Sequence, residues 1–152
     1  MNAYDAPVSA QAVPEQTNAR VIFVFFARGS VDVPPQFDTD VREAACHMVP
    51  GVAVKIRGYA DRTGPAEDNL RRSERRAQNV LNAIGRQGVP CERLQDYKGV
   101  GEEDAPGQAE NRPFSRRVDI ILEGTLPADD AVAVCKNSSP PNPAPPRCVT
   151  PR

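Results

Sequence analysis

The chain has 152 residues with a formal net charge of −1, and 39% of its residues are hydrophobic. This length allows one domain of about a hundred residues with extensions, and the even charge balance lacks the basic surplus that binds nucleic acids and anionic lipids. No apolar run reaches the ~18 residues of a membrane-spanning helix, so we expect neither a nucleic-acid partner nor a direct membrane span in this chain.

Residues 1–19 are polar and rich in alanine, glutamine and proline. They contain neither the basic start nor the apolar stretch of a signal peptide, and their composition is typical of a flexible N-terminal segment. The sequence leaves open whether the protein is cytosolic or a mature form from which a targeting segment was removed.

The first half of the folded part predicts a strand, a helix and a second strand. Residues 20–27, RVIFVFFA, are β-branched and aromatic, which favours a buried strand. Residues 36–49 place apolar side chains at helical spacing, and the pair Pro50 and Gly51 ends that helix. Residues 52–59, VAVKIRGY, alternate between apolar and polar, which predicts a strand with one solvent-exposed face or an edge position.

The second half predicts a long helix and two strands. The helix begins near Pro65, which suits a first helical position, and ends near Gln87. Residues 94–101 and 116–124 are short apolar segments, which we interpret as strands. The apolar stripe of the long helix consists of Ala77, Val80, Leu81 and Ile84.

The predicted order is therefore β-α-β-α-β-β. Helices that alternate with strands in this way favour an α/β fold of the α+β sandwich type, with the helices on one face of a small mixed sheet. We expect this domain to occupy residues 20–125. Residues 126–152 form a Pro-rich C-terminal tail, which we expect to bury little surface and to be dispensable for folding.

Nothing in the sequence indicates an enzyme. His47, the single histidine, follows Cys46 in a predicted helix, where neighbouring side chains point about 100° apart and cannot form a catalytic dyad. The adjacent acids at 102–104 are typical of a solvated loop. No phosphate-binding loop, no nucleophile motif and no cluster of metal-ligating residues is present. We therefore expect no catalytic residue, no metal and no cofactor.

Two interpretations of the central region stay open at this point. Arg71, Arg72, Arg75 and Arg76 lie within little more than one helical turn, interleaved with acidic residues, and such a run is usually a solvated face. The other interpretation is that Asp61, between a strand and a glycine turn, combines with one arginine to bind a small zwitterion.

Three motifs in order carry a resemblance to a known family. They are GYADRTG at 58–64, NLRRSERRAQNVLNAI from Asn69 and SRRVDIIL from Ser115. Together they resemble the OmpA-like peptidoglycan-binding domain, whose pattern is G-H-T-D-x-x-G, N-x-x-L-S-x-x-R-A-x-x-V-x-x-x-L and N-R-R-V. The resemblance covers about residues 21–123. The matching positions are Gly58, Asp61, Gly64, Asn69, Ser73, Arg76, Ala77, Val80, Ile84, Arg116, Arg117 and Val118.

The resemblance implies non-covalent binding of peptidoglycan through the meso-diaminopimelate residue of its stem peptide. It assigns the ligand's ammonium to Asp61 and its carboxylate to Arg76, with Asn69 in support and Arg117 as a weaker candidate. The implied role is to tether an envelope protein to the cell wall of a Gram-negative bacterium. The implied location is the periplasm, in association with the outer membrane, with possible envelope protein partners.

Some positions depart from the family pattern. Tyr59 and Ala60 replace the family's histidine and threonine, Arg72 replaces a leucine, and residues 25–30 lack the usual acid or amide side chain. These changes motivate the alternative of a structural or protein-interaction module of the same fold without peptidoglycan binding. Because Arg76 lies outside the apolar stripe, we expect its replacement by alanine to leave the fold intact.

The four cysteines are widely spaced and contain no C-x-x-C pair, which favours disulfides over free thiols. In a periplasmic protein we expect Cys46 to pair with Cys91, which joins the end of one helix to the end of the next, and Cys135 to pair with Cys148, which ties the tail. Four cysteines allow three connectivities, so this pairing is one of three.

Overall fold

Four strands form one mixed sheet in the computed structural model, which describes residues 18–102, residues 112–138 and Cys148. The strands run in the order β1-β4-β2-β3, in which only β2 and β3 are parallel. The strands are β1 (Asn18–Phe25), β2 (Val52–Ala60), β3 (Tyr97–Glu102) and β4 (Arg117–Gly124). The helices are α1 (Asp38–Cys46), α2 (Ala66–Arg86), the single turn α3 (Arg112–Ser115) and α4 (Asp129–Lys136), with 3-10 turns at Pro35–Phe37 and Cys91–Leu94.

The predicted fold class is confirmed. Helices α1 and α2 share one hydrophobic core with alternate residues of the strands, such as Val24, Ile56 and Ile120, so both helices cover the same face of the sheet. The predicted elements agree with the observed ones to within a few residues. The third strand is the least accurate, because Leu94 lies in a 3-10 turn and β3 begins at Tyr97.

The domain division predicted from composition stays a prediction at its N-terminal end. Residues 1–17 lie outside the described residues, and β1 begins at Asn18, two residues before the predicted start of the domain. Most of the predicted acidic loop, from residue 103 onward, lies outside them too. No helix in the described part of the chain is both long and apolar enough to cross a membrane.

Glycines in the sheet let α2 approach the strands unusually closely. A Cβ added at Gly58 would lie 2.0 Å from the backbone oxygen of Ser73, and one at Gly99 would lie 2.5 Å from the backbone nitrogen of Glu74. Ser73, which is buried, also accepts a 2.9 Å hydrogen bond from the backbone N–H of Gly101 through its hydroxyl. The helix and the sheet therefore pack backbone against backbone, which fixes the middle of α2 against β2 and β3.

We expect Gly58→Ala to lower the free energy of unfolding by about 3 kcal/mol or more, because a methyl group there displaces α2 from the sheet. Chemical denaturation measures the change. Gly29→Ala is the control, since its Cβ would meet no atom within 4 Å and only the left-handed backbone would cost about 1–2 kcal/mol. Equal effects of the two substitutions would contradict the close approach.

The expectation that the tail buries little surface is wrong. Residues 129–136 form α4, whose Val132 is buried, and the helix packs on α1. Arg42 of α1 donates hydrogen bonds to the carbonyl oxygens of Cys135 at 2.6 Å and Ser138 at 2.7 Å. An ion pair of 3.1 Å joins Lys136 to Glu43. The C-terminal segment is therefore docked on the domain.

The disulfides are present, but the predicted pairing is wrong. Cys46 bonds to Cys135 and Cys91 bonds to Cys148, so no free cysteine remains among the described residues. The physical reason is the position of α4, which brings Cys135 to the end of α1 while Cys148 packs against Gly85 near the end of α2. The first bridge ties the C-terminal segment to the end of α1, and the second ties it to the 3-10 turn at Cys91–Leu94.

Candidate functional site

The aspartate singled out in the sequence lies immediately after β2, where the strand meets the turn that leads to α2. Asp61 is only 6% exposed, and its Oδ1 accepts a 3.1 Å hydrogen bond from the backbone N–H of Thr63. An aspartate that bonds the backbone two residues onward forms an Asx turn, which orients its carboxylate. The carboxylate is therefore held in one direction by the turn itself.

The second oxygen of this carboxylate faces an arginine that precedes β4. Arg116 approaches Asp61 Oδ2 through Nη1 at 3.3 Å, and its Nε donates to the carbonyl oxygen of Phe26 at 3.1 Å. Burial raises the pKa of Asp61, but the hydrogen bonds from Thr63 and Arg116 outweigh it, so the pKa lies below its usual value. Asp61 is consequently ionised at neutral pH.

Arg76 is fully buried and connects two separate segments of backbone. Its Nε donates to the carbonyl oxygen of Ser30 at 2.8 Å, and its Nη1 donates to that of Tyr59 at 3.1 Å. The guanidinium also lies over the ring of Phe26, 5.2 Å from the ring centroid. The expectation that Arg76 is not part of the core is therefore wrong.

The third nitrogen of Arg76 distinguishes it from an ordinary structural arginine. Nη2 is buried and has no hydrogen-bond partner among the described residues. Burial lowers the pKa of Arg76 to about 10, with Arg72 and Arg116 adding to the decrease and Asp61 opposing it. Arg76 is still charged at neutral pH, so one donor of a buried cation is available to an anion.

The sequence alone left Asp61 and Arg76 well separated along the chain. The structure brings them together, because α2 folds back along β2 and Arg76 bonds the backbone two residues before Asp61. One fixed carboxylate and one buried guanidinium thus lie at the same end of the sheet. Such a pair is complementary to a ligand that carries an ammonium and a carboxylate close together.

Asn69 braces the turn beside this pair. It is fully buried, and its Nδ2 donates to Glu102 Oε2 at 2.8 Å and to the carbonyl oxygen of Gly64 at 3.4 Å. Its Oδ1 accepts a 2.6 Å hydrogen bond from Arg72. Asn69 therefore links the start of α2 to β3 and to the turn that carries Asp61.

Arg117 is the one predicted site residue that the structure does not bring to the others. It lies on the sheet face opposite the helices, where its Nε donates to Asp119 Oδ1 at 2.8 Å and its Nη1 to the carbonyl oxygen of Phe114 at 2.9 Å. Its guanidinium stacks on the ring of Tyr59, 4.3 Å from the centroid. The interactions of Arg117 belong to that outer face.

Sequence reasoning missed Arg116, although a signal was available. Val118, Ile120 and Leu122 are fully buried in the core, so every second residue of β4 faces the helices. Extending that alternation backward places Arg116 on the helix side and Arg117 on the opposite side. Strand periodicity alone selects Arg116 from the two adjacent arginines.

The changed first loop contributes through its backbone. Within residues 25–30, which lack the family's acid or amide side chain, the carbonyl oxygen of Phe26 accepts from Arg116 and that of Ser30 accepts from Arg76.

Cys46 is oxidised in a disulfide and is no nucleophile. Across residues 18–102 and 112–138 and at Cys148, no three side chains that could hold a metal ion converge.

A family model and curated relatives match this chain. The model of the OmpA family matches residues 25–117. The probable lipoprotein YiaD of Escherichia coli (strain K12) is 37% identical over 76 residues, which cover 48% of this chain and 34% of that protein. Outer membrane protein 40 of Porphyromonas gingivalis is 33% identical over 115 residues, which cover 70% of this chain and 30% of that protein. The chain thus spans about a third of the length of these relatives.

Solved structures share the fold. The peptidoglycan-associated lipoprotein from Burkholderia pseudomallei superposes with a TM-score of 0.58 at 23% identity, covering 66% of this chain and 88% of that one. The cell wall anchor of the T6SS from Pseudomonas aeruginosa superposes with a TM-score of 0.56 at 22% identity. The match covers 76% of this chain and 91% of that one.

Proposed function

Since this chain belongs to the OmpA family, whose model matches more than half of it, we propose that it binds peptidoglycan non-covalently through the diaminopimelate residue of the stem peptide. Domains of this family are non-enzymatic modules. By this binding the chain tethers an envelope protein to the cell wall.

The observation that carries the proposal is that Asp61 and the buried Arg76 lie close together at one end of the sheet. The side-chain end of diaminopimelate carries an ammonium and a carboxylate on one carbon. Asp61 accepts hydrogen bonds from the ammonium, and the unpartnered Nη2 of Arg76 donates to the carboxylate. Asn69 supports both by holding the turn, and Arg117 supports the start of β4 from the other face.

The relatives support the proposed location and role. The curated relatives are a probable lipoprotein and an outer membrane protein, and two of the solved structures are described as a peptidoglycan-associated lipoprotein and a cell wall anchor. We place this chain in the periplasm, in association with the outer membrane, and we assign the binding to residues 20–125. The two disulfides agree with an oxidising compartment.

Asp61→Asn tests the proposal. Asparagine keeps the shape and the hydrogen bond from Thr63 but removes the charge that holds the ammonium. We expect the affinity for purified cell-wall sacculi to fall ten- to a hundredfold, the equivalent of about 1.5–3 kcal/mol for a charge-assisted hydrogen bond. A sedimentation assay with sacculi measures it, and calorimetry with a diaminopimelate stem peptide gives the affinity for the residue itself.

Arg71→Ala is the matched control. Arg71 lies on the exposed surface of the same helix and pairs only with Asp68 among the described residues, so its loss is expected to leave binding within about twofold. Equal losses in the two variants would indicate diffuse attraction to a basic helix. Absence of binding by the unaltered protein would favour the alternative, a structural or protein-interaction module of this fold.

A further inference from the structure

The two edges of the sheet differ in how well they are protected against pairing with another strand. β3, at one edge, is short, carries Lys98, and has an extra residue, Val100, that interrupts its register with β2. A short strand, a lysine and a bulge are common means by which proteins make an edge unsuitable for pairing. β1, at the other edge, contains no proline and pairs with β4 in a regular register throughout its length. In the described part of the chain, no strand pairs with the outer side of β1.

The unpaired backbone groups of β1 belong to alternate residues. Directly after β1, the backbone N–H of Phe26 donates to the carbonyl oxygen of Arg116 at 2.8 Å, in the same register as the strand pair. In an antiparallel pair, every second residue exchanges both of its hydrogen bonds with the partner strand, and the residues between them point away. The N–H and carbonyl groups of Ala19, Val21 and Phe23 therefore face outward from the edge.

These outward-facing residues also carry exposed apolar side chains. Val21 is 42% exposed and Phe23 is 45% exposed. Phe25, further along the strand, is partly covered by the rings of Phe37 and Phe114, whose centroids lie 6.1 Å and 5.9 Å from its own. The open part of the edge is therefore the part of β1 before Phe25.

The charge of this edge does not oppose a second copy of the chain. A symmetric contact between two copies presents the same residues from both sides, so a free charge at its centre would face its own kind. Arg20 is the one charged residue of β1, and it already forms an ion pair with Glu43 of α1. The edge is therefore compatible with an identical edge.

We propose that two copies of this chain pair antiparallel through β1 and form one continuous eight-stranded sheet. The outward backbone groups restrict the pairing to odd-numbered residues, and the open part of the edge is centred near Val21. In the register centred there, Val21 lies opposite the same residue of the second copy, and Phe23 lies opposite Ala19. A large ring thus packs beside a small side chain on each side of the twofold axis. Arg20 lies opposite Ile22, away from the second Arg20.

A single strand edge is a small contact. Stable interfaces of standard size bury about 800 Å² per partner, which is more than one short strand pair covers, so we expect a dimer that dissociates on dilution. Because the paired strands are antiparallel, the two candidate ligand sites, each beside the end of β1, lie at opposite ends of the joined sheet. The dimer is thus a bivalent form of the domain.

Sedimentation velocity of the unaltered chain, from about 1 μM to about 1 mM, tests the inference without any cell-wall ligand. A monomer–dimer equilibrium is expected. Val21→Lys places two like charges opposite each other at the centre of the contact, and we expect it to weaken dimerisation at least about tenfold. Val100→Lys is the matched control, because Val100 is an exposed valine on the opposite edge strand, and it should leave the equilibrium unchanged.

Cross-linking locates the contact independently of the lysine variants. All four cysteines of the chain are in disulfides, so one introduced thiol reports alone. With a short bismaleimide we expect Val21→Cys to give a covalent dimer and Val100→Cys to give none. A chain that stays monomeric at about 1 mM would overturn the inference, and so would equal cross-linking of the two variants. Neither measurement involves peptidoglycan, so a failure of the proposed wall binding would leave both results as they are.

Discussion

Deletion of residues 127–152 is expected to lower the melting temperature by at least about 20 °C. The deletion removes Cys135 and Cys148 and thereby two disulfides that join residues 89 and 57 positions apart. Loop entropy assigns each bridge about 4–5 kcal/mol, and their sum is an upper limit because the two loops overlap. A loss of about 5 kcal/mol corresponds to at least 20 °C for a domain of this size.

Thermal unfolding followed by circular dichroism measures this effect. Cys135→Ala combined with Cys148→Ala is the matched control, since it removes both bridges but keeps α4 and its contacts with Arg42 and Glu43. We expect the double variant to show most of the loss. An unchanged melting temperature after the deletion would restore the prediction from composition, that the tail contributes nothing to the fold.

Arg76→Ala is expected to impair both binding and folding. Alanine leaves the carbonyl oxygens of Ser30 and Tyr59 without their donor and opens a cavity between the first loop and β2. Each unsatisfied buried carbonyl costs about 1–3 kcal/mol, while relief of a buried charge offsets part of this. We expect a net loss of about 3 kcal/mol in the free energy of unfolding, measured by chemical denaturation.

The binding effect of Arg76→Ala is expected to exceed its folding effect. At temperatures where the variant is still folded, sacculi binding should fall below detection, because the donor to the ligand's carboxylate is gone. Arg75→Ala is the control, an exposed arginine one residue earlier on the same helix. Retained sacculi binding by folded Arg76→Ala would exclude this guanidinium from the site.

The strands and long helices could be predicted because their periodicity is strong. The alternation of residues 52–59 and the apolar stripe of α2 give each element the right type and nearly the right bounds. The burial of Arg76 could not be predicted in this way. An arginine beside the stripe is usually solvated, whereas here the close packing at Gly58, against Ser73 and Ala77, holds the middle of α2 on the sheet.

The C-terminal segment shows the same kind of error, because its burial was also underestimated. Its prolines suggested a chain that buries nothing, yet the eight residues DDAVAVCK form α4 within it. Composition averaged over the whole tail concealed a short helix with one buried valine. Because α4 was not foreseen, the pairing of Cys135 with Cys46 was not foreseen either.

The candidate site was predictable in its aspartate and only partly in its arginines. Asp61 follows an alternating strand and precedes a glycine turn, which is a local signal. Arg76 reaches it through tertiary packing that the family motif encodes and that periodicity does not. Arg116 was predictable from periodicity, because the alternation of buried and exposed residues in β4 already distinguishes it from Arg117.

The two disulfides also determine what happens when the chain is cut. Cys91 lies between Cys46 and Cys135, and Cys135 lies between Cys91 and Cys148, so the two covalent loops interlock along the sequence. A single peptide bond broken anywhere between residues 46 and 148 leaves two pieces that at least one S–S bond still connects. One proteolytic cleavage within residues 46–148 therefore does not separate the segment before Cys46 from the segment after Cys148.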